Sequence, residues 1–369
     1  MDPLSPDLPA LRAALAALDH DLLALVARRQ AIARAVGAIK DQDGRAIRDF
    51  AQEREVLDRA ERTGAALGLP RALSRELGEA LIRHSVTAQE QQRVRARNEG
   101  RGRTALVIGG AGRMGGWFAR FLASQGFGVT IADPAVIVED AAHMRDWHAH
   151  ALADDFIIVA APMRETAAIL TALAERRPRG VVCDVGSLKS PLRDALAALV
   201  RAGVRATSLH PMFGPDTELL SGRQVVLVDV GHAEANAAVT ALFAPTMATV
   251  VTMDLEAHDR AIAYVLGLSH ALNIAFAGAL ATRHPAAGDL ATLSSTTFAA
   301  QLDVSARVVR ENPHVYYEIQ ALNDYGLESL EVLRGAVEQL HAIVQRGDEA
   351  AFVALMARGR TVVDGRAGA

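Results

Sequence analysis

The 369-residue sequence holds one cysteine, Cys183, which excludes an internal disulfide and a cysteine-built zinc cluster. Aromatic residues make up only 4% of a chain that is half apolar, so its cores have to come from Ala, Leu and Val. Neither sign of charge dominates: 39 basic and 43 acidic residues leave a net charge of −4, and composition gives no reason to expect a nucleic-acid partner. No apolar run is long enough to span a bilayer. The start, Met1-Asp2-Pro3-Leu4-Ser5-Pro6, lacks the basic and apolar stretches of a secretion signal. Internal repeats and long low-complexity tracts are missing as well. The expectation is a cytoplasmic enzyme of two or three domains.

What is present centres on Gly109-Gly110-Ala111-Gly112-Arg113-Met114-Gly115-Gly116. The apolar run Thr104–Ile108 precedes it and Trp117-Phe118-Ala119-Arg120-Phe121-Leu122 follows, which reads as strand, turn, helix. Gly110, Gly112 and Gly115 fill G-x-G-x-x-G, with Arg113 and Met114 opening the helix whose N–H groups would meet a pyrophosphate. In this pattern the first glycine allows the tight turn, the second lets the phosphates approach, and the third lets helix pack on strand. A second strand-like run, Gly128–Ala132, ends at Asp133, 23 residues after Gly110. An acidic residue there accepts the adenosine ribose hydroxyls and disfavours a 2′-phosphate, which points to NAD over NADP. A plain turn would also use the glycines, and Asp133 before Pro134 also suits a turn.

The first hundred residues are helical in pattern. Leu11, Leu15, Leu18, Leu22 and Leu25 form a heptad seam on a helix running from Leu8 to about Lys40. Such a helix is roughly 45 Å long and needs a partner helix from another subunit. A second helix covers Phe50–Ala66, Gly68-Leu69-Pro70 is a turn, and a third runs from Arg71 to about Arg93. Arg29 and Lys40 share a face, while Arg12 lies roughly 100° round the helix from it. Asp49 and Glu53, and Ser85 and Gln89, are spaced i, i+4. Each of these singly has a solvated charge or polar group as its alternative.

Together, these residues resemble the all-helical chorismate mutase domain that is fused to prephenate dehydratases and dehydrogenases, over Leu8 to about Gln92. The resemblance implies that Arg12 and Arg29 hold the substrate carboxylates, with Arg12 reaching the partner subunit's site. It places Lys40 at the ether oxygen and Asp49 and Glu53 around the ring hydroxyl, and it matches Ser85 and Gln89 to the last-helix pair, with Gln89 at the ether oxygen. One position departs, since the family usually has arginine where this chain has Gln52, the remaining candidate substrate contact on the hydroxyl side.

Farther on, strand-like runs Asp155–Ala161, Gly180–Val185 and Arg205–Leu209 alternate with helices and predict a parallel sheet. Pro162-Met163 follows the first as a loop over the nicotinamide-side ribose. The stretch Val94–Gly102, rich in arginine, reads as a helix end plus a basic linker. Gly186-Ser187-Leu188-Lys189 and His210-Pro211-Met212-Phe213-Gly214-Pro215 resemble the prephenate dehydrogenase family, over roughly Thr104 to Met356. That resemblance implies that His210 takes the ring-hydroxyl proton, that Ser187 bonds near it and the nicotinamide, and that His270 and Lys189 are substrate-side residues. His210 as a structural strand-end histidine and Lys189 as a helix-start charge are the plainer alternatives. The family's arginine after Ser294-Ser295 falls on Ala299 here, with Arg260, Arg307 and Arg283 as candidate replacements.

The expected architecture is an all-α three-helix domain of the chorismate mutase type (1–93), a linker (94–103), an α/β Rossmann domain (104–250), an all-α dimerisation domain (251–358) and a tail (359–369). The expected activity is bifunctional, chorismate to prephenate and then NAD-dependent conversion to 4-hydroxyphenylpyruvate, in a homodimer without metal. Two alternatives stand beside it: the same chemistry on 4-amino-4-deoxy substrates, and a dehydrogenase whose helical domain only dimerises or senses.

Overall fold

A computed structural model describes residues 7–134, 142–283 and 293–365. They form two compact units. The first holds the N-terminal helices and the α/β domain up to Thr252, apart from 163–168 and 186–197; these two segments group with the second unit, which starts at Met253.

Three helices open the first unit: α1 (Leu8–Gln42), α2 (Phe50–Ala66) and α3 (Arg71–Arg97). The Asp49 carboxylate caps α2 by accepting the Gln52 N–H at 3.0 Å. Between α2 and α3, Gly68 adopts φ +75°, a conformation costly for other residues, and Pro70 precedes the first turn of α3. α1 packs on α3 but buries none of its own side chains. Its seam leucines Leu11, Leu15, Leu18, Leu22 and Leu25 are 45–63% exposed, so nothing among the described residues covers them. Gln89 fits against α1 only because residue 37 is glycine: a Cβ there would lie 2.6 Å from its Cγ.

The α/β domain is one eight-stranded sheet, in the order β3-β2-β1-β4-β5-β6-β7-β8. Its strands are β1 (Thr104–Ile108), β2 (Gly128–Ala132), β3 (Ala142–Met144), β4 (Phe156–Val159), β5 (Val181–Asp184), β6 (Ala206–Pro211), β7 (Gln224–Val228) and β8 (Thr249–Met253). β1 to β6 run parallel, and β7 is antiparallel to β6. The order reverses between β1 and β4, where open α/β sheets bind ligands at the strand C-termini. β3, β7 and β8 were not read from the sequence; β3 has three residues and β8 is only partly buried, so neither carries a strong apolar signal. The few aromatics are concentrated on α4 (Arg113–Ser124), where Trp117, Phe118 and Phe121 meet Phe213 and Phe243 with ring centroids about 5 Å apart. Burying one such ring contributes ~2 kcal/mol or more.

α3 continues past the expected end at Arg93 and enters this domain. Val94 joins its core, and Asn98 closes the helix at φ 49°. The arginines expected in a solvated linker are partly engaged: Arg93 pairs with Asp41 at 3.0 Å, and Arg103 lies over the Phe127 and Phe156 rings. The Glu90 carboxylate is buried and accepts the N–H groups of Leu220 (2.8 Å) and Met247 (2.6 Å). Burial raises its pKa, and the two N–H bonds only partly offset that.

The second unit is helical. Leu255–Ile262, a π turn over Ala263–Leu268 and Ser269–Arg283 form one continuous rod. Thr296–Val309, Pro313–Ala321, Gly326–Arg346 and Glu349–Asp364 follow. The helix Leu255–Thr282 contains an 18-residue window of mean hydropathy 1.5, long and apolar enough to cross a membrane by length and composition, a test that core helices also pass. This corrects the sequence reading, which found no apolar run long enough to span a bilayer.

Two measurements check the α3 junction. Glu90→Ala strands two buried N–H donors and should cost about 2 kcal/mol or more in denaturant unfolding. Because the folded pKa of Glu90 is raised, its ionisation costs stability as pH climbs from the unfolded value of about 4.3 through the folded one. The stability of the native chain relative to Glu90→Gln should therefore fall over that interval.

Candidate active sites

The stripe of α1 carrying Arg29, Ala33, Gly37 and Lys40 faces residues expected on α3. Arg29 Nη1 donates to Ser85 Oγ at 2.6 Å and to the Leu81 carbonyl at 3.0 Å. The Ser85 hydroxyl in turn donates to Leu81 O. Gln89 Nε2 donates to Ala33 O at 2.9 Å, and Lys40 Nζ to Ile47 O at 2.7 Å. Burial and then the nearby Arg59 lower the Arg29 pKa, while the H-bond from Gln52 N–H holds Asp49 below the usual carboxylate range. Glu53 receives both arms of Arg48, at 2.9 and 2.5 Å. Gln52 is exposed. Arg29, Lys40, Asp49, Glu53, Ser85 and Gln89 thus lie along the α1–α3 contact and the start of α2. Arg12 does not join them: it is exposed, and 17 residues of helix put it ~25 Å away along the axis. A cavity of about 380 Å³ opens beside Arg29 and Arg59, but Lys40, Glu53, Ser85 and Gln89 do not line it.

The glycine turn sits at the C-terminal end of β1. Gly109 N donates to Ala132 O, and Ala160 N to Ile108 O, so the turn nests among the ends of β1, β2 and β4. The left-handed residue is Gly109 (φ +80°), not Gly110 as the motif suggested; a Cβ on Gly109 would lie 2.6 Å from Ala160 O. Gly115 has no room for a side chain either, since its Cβ would meet Gly109 O at 2.2 Å. Gly112 precedes the first turn of α4, the positive end of whose helix dipole suits phosphate. Asp133 is buried at the end of β2, and its Oδ2 accepts the Ala111 N–H at 3.3 Å. Met114 packs partly buried on the core, and Arg113 pairs with Asp216 at 2.8 Å. A cavity of about 770 Å³ is lined by Gly110, Ala111, Gly112, Arg113, Pro215 and Asp216. These residues fit a dinucleotide: a side-chain-free approach, N–H donors and a buried carboxylate acceptor. Pro162 follows β4 and precedes α5 (Met163–Arg176).

His210 lies near the C-terminus of β6, 4% exposed. Its strand neighbours place its backbone opposite Val226 of β7. In the second unit, Ser187 is half-buried, and Lys189 is completely enclosed, which takes its side chain off any open substrate surface. The Lys189 and Ser190 N–H groups both bond the Asp259 carboxylate, as does the Ser190 hydroxyl. His258 Nδ1 lies 2.6 Å from the same carboxylate, with both residues fully buried. Burial opposes Asp259 ionisation, but the bonds from His258, Ser190 and Lys189 outweigh it and lower the pKa. The His258-Asp259 anchor escaped the sequence reading; its only signal was an adjacent His-Asp pair ahead of an apolar helix. His270 follows the π turn, meets the Tyr316 ring at a tilt with centroids 4.5 Å apart and has a buried Nδ1 without a partner among the described residues. Burial lowers its pKa. Irregular π turns recur at functional sites.

With this geometry in view, comparison with known proteins is informative. Residues 11–90 match chorismate mutase type II, 118–252 the nucleotide-binding domain of prephenate dehydrogenase, and 254–358 the prephenate dehydrogenase dimerization domain. A 4-amino-4-deoxyprephenate dehydrogenase of Streptomyces pristinaespiralis is 32% identical over 269 residues, 70% of this chain and 90% of its own length. The chain belongs to the prephenate dehydrogenase family. A T-protein of Enterobacter agglomerans is 26% identical over 352 residues, 94% of this chain and 91% of its own length. Among solved structures, prephenate dehydrogenase from A. aeolicus superposes with a TM-score of 0.60 at 21% identity, covering 71% of this chain and 98% of its own. Synechocystis arogenate dehydrogenase gives 0.57 at 18%, covering 71% and 99%. These two show the shared fold.

This member of the prephenate dehydrogenase family has Ala299 exposed in the first turn of the helix capped by Ser295. Of the candidate replacements, Arg260 pairs with Glu256 at 2.8 Å and lies over Tyr325, so it is engaged elsewhere. Arg307 is exposed beside Asp303, Arg310 and Glu311, and the Arg283 side chain lies outside the described residues. The Asp133 acceptor is directly testable. Asp133→Asn should raise KM for NAD+ about tenfold, equivalent to roughly 1.4 kcal/mol of lost binding, and narrow the preference over NADP+ in steady-state assays.

Proposed function

We propose that the chain is a bifunctional enzyme of tyrosine biosynthesis: it rearranges chorismate to prephenate, then converts prephenate to 4-hydroxyphenylpyruvate with NAD+. One observation carries the reading. The α1–α3 contacts of Arg29 with Ser85 and of Gln89 with Ala33, with Lys40 near the end of α1 and Glu53 at the start of α2, precede, in one chain, a glycine turn with Asp133 and the buried imidazole of His210.

The rearrangement breaks an ether C–O bond and forms a C–C bond without proton transfer. It needs a grip on two carboxylates and donors for the charge that grows on the ether oxygen. Arg29 supplies one grip, and Arg12 from a second copy the other. Lys40 keeps two N–H donors beyond its bond to Ile47, and Gln89 keeps one beyond its bond to Ala33. Asp49, Glu53, Gln52 and Ser85 face the ring side.

NAD+, when bound, supplies the hydride acceptor. Asp133 takes the adenosine ribose hydroxyls; Gly110, Gly112, Arg113, Met114 and Gly115 receive the pyrophosphate, and Pro162 borders the second ribose. His210 accepts the ring-hydroxyl proton while hydride leaves the same carbon. The ring carboxylate then departs as carbon dioxide, its bonding pair completes the aromatic ring, and the ring oxygen takes back the proton held by His210. Ser187 and His270 orient the substrate, and Lys189 supports the Ser187 loop from inside. We assign the mutase to 1–93, a linker to 94–103, the NAD domain to 104–250, the dimerisation domain to 251–358 and a tail beyond, in a cytoplasmic homodimer. The uncovered α1 seam and the exposed Val337, Val344, Val353 and Met356 support a second copy as partner.

A second reading keeps the folds and changes the substrate to 4-amino-4-deoxyprephenate; Ala299 and the similarity to the Streptomyces pristinaespiralis enzyme favour it. Purified protein given prephenate and NAD+ should produce NADH, and His210→Asn should lower kcat by about 10²-fold or more. Faster turnover of the amino substrate in the same assay would decide for the second reading. Lys40→Ala should abolish most mutase turnover and spare NADH formation; unchanged mutase flux would reduce the helices to a dimerisation module.

A further inference from the structure

The sequence departs from the mutase pattern at Gln52, where a cation is expected beside Glu53. The structure supplies that cation from another position. Arg48 lies in the connection between α1 and α2, flanked by Ile47, whose carbonyl takes Lys40, and Asp49, which caps α2. Its Nε and Nη2 grip the two oxygens of Glu53 at 2.9 and 2.5 Å, a fork that fixes the plane of the carboxylate. The guanidinium also lies 4.6 Å from the Phe50 ring centroid. Its remaining arm, Nη1, donates to Ser221 Oγ at 3.1 Å. Ser221 belongs to the loop that follows the His210 motif, within the same compact unit. Three contacts therefore hold Arg48, and the Glu53 carboxylate raises its pKa through the same hydrogen bonds.

We propose that Arg48 is a positioning residue of the mutase site, holding Glu53 against the ring hydroxyl of chorismate in place of the cation missing at Gln52. It touches Glu53, not the substrate. This rests on the mutase reading above. The ring hydroxyl is bound alike before and during the rearrangement, so loosening Glu53 removes uniform binding. The loss then appears in KM. Damage to folding would instead reduce the amount of active enzyme, lowering kcat at unchanged KM.

The test compares Arg48→Ala and Arg48→Lys in the full chain, following chorismate consumption, with NADH formation from supplied prephenate as the control for folding. Arg48→Ala should raise KM for chorismate about tenfold with kcat within about threefold. Arg48→Lys, which keeps the charge but not the fork, should fall between it and the native chain. The dehydrogenase rate should stay unchanged. A KM for Arg48→Ala within about twofold of the native value overturns the proposal, whatever happens to kcat. Absence of chorismate turnover in the native chain overturns the mutase reading itself, a result that separates the two failures.

Discussion

The buried carboxylate of Glu90 is the constraint on which the first unit depends. It is taken out of water at a cost, and the two backbone N–H groups it accepts belong to separate loops of the α/β domain. Those loops have no strand partner at these positions, so the helix supplies what a sheet would otherwise supply. One residue earlier, Gln89 turns to α1, and four residues later, Val94 enters the α/β core. α3 is thus both a wall of the mutase cluster and a structural member of the dinucleotide domain. This is why the helices and the sheet form one compact unit.

The same economy leaves α1 incomplete. Its one stripe of small and polar residues is spent on α3, and its leucine seam stays in water. An exposed apolar seam of this length is the kind of surface that marks an interaction site. The separation of Arg12 from Arg29 follows from that geometry: on one straight rod the two cannot converge.

The two candidate sites differ as their chemistries do. The helical cluster has donors and no acid–base dyad, which suits a rearrangement without proton transfer. The sheet places N–H donors and a carboxylate where a dinucleotide would lie, and an imidazole at the end of β6, which suits hydride and proton leaving together. In the second unit, the fully buried Asp259 fastens the segment that carries Ser187, so a half-buried hydroxyl is held by a group that never meets solvent.

The sequence alone determined the helix bounds at Leu8, Phe50–Ala66 and Arg71 and the strands Thr104–Ile108 and Gly128–Ala132. These depend on local periodicity, capping and glycine spacing, which the chain order displays. Tertiary structure decided the rest. The tight turn falls on Gly109 because Ala160, 51 residues away, crowds it. Lys189 is enclosed, with its backbone N–H on the carboxylate of Asp259, 70 residues on, and Arg48 meets Glu53 through a loop that no periodic pattern describes. Contacts between residues far apart in the chain leave no mark on its local pattern, so only the folded backbone could assign them.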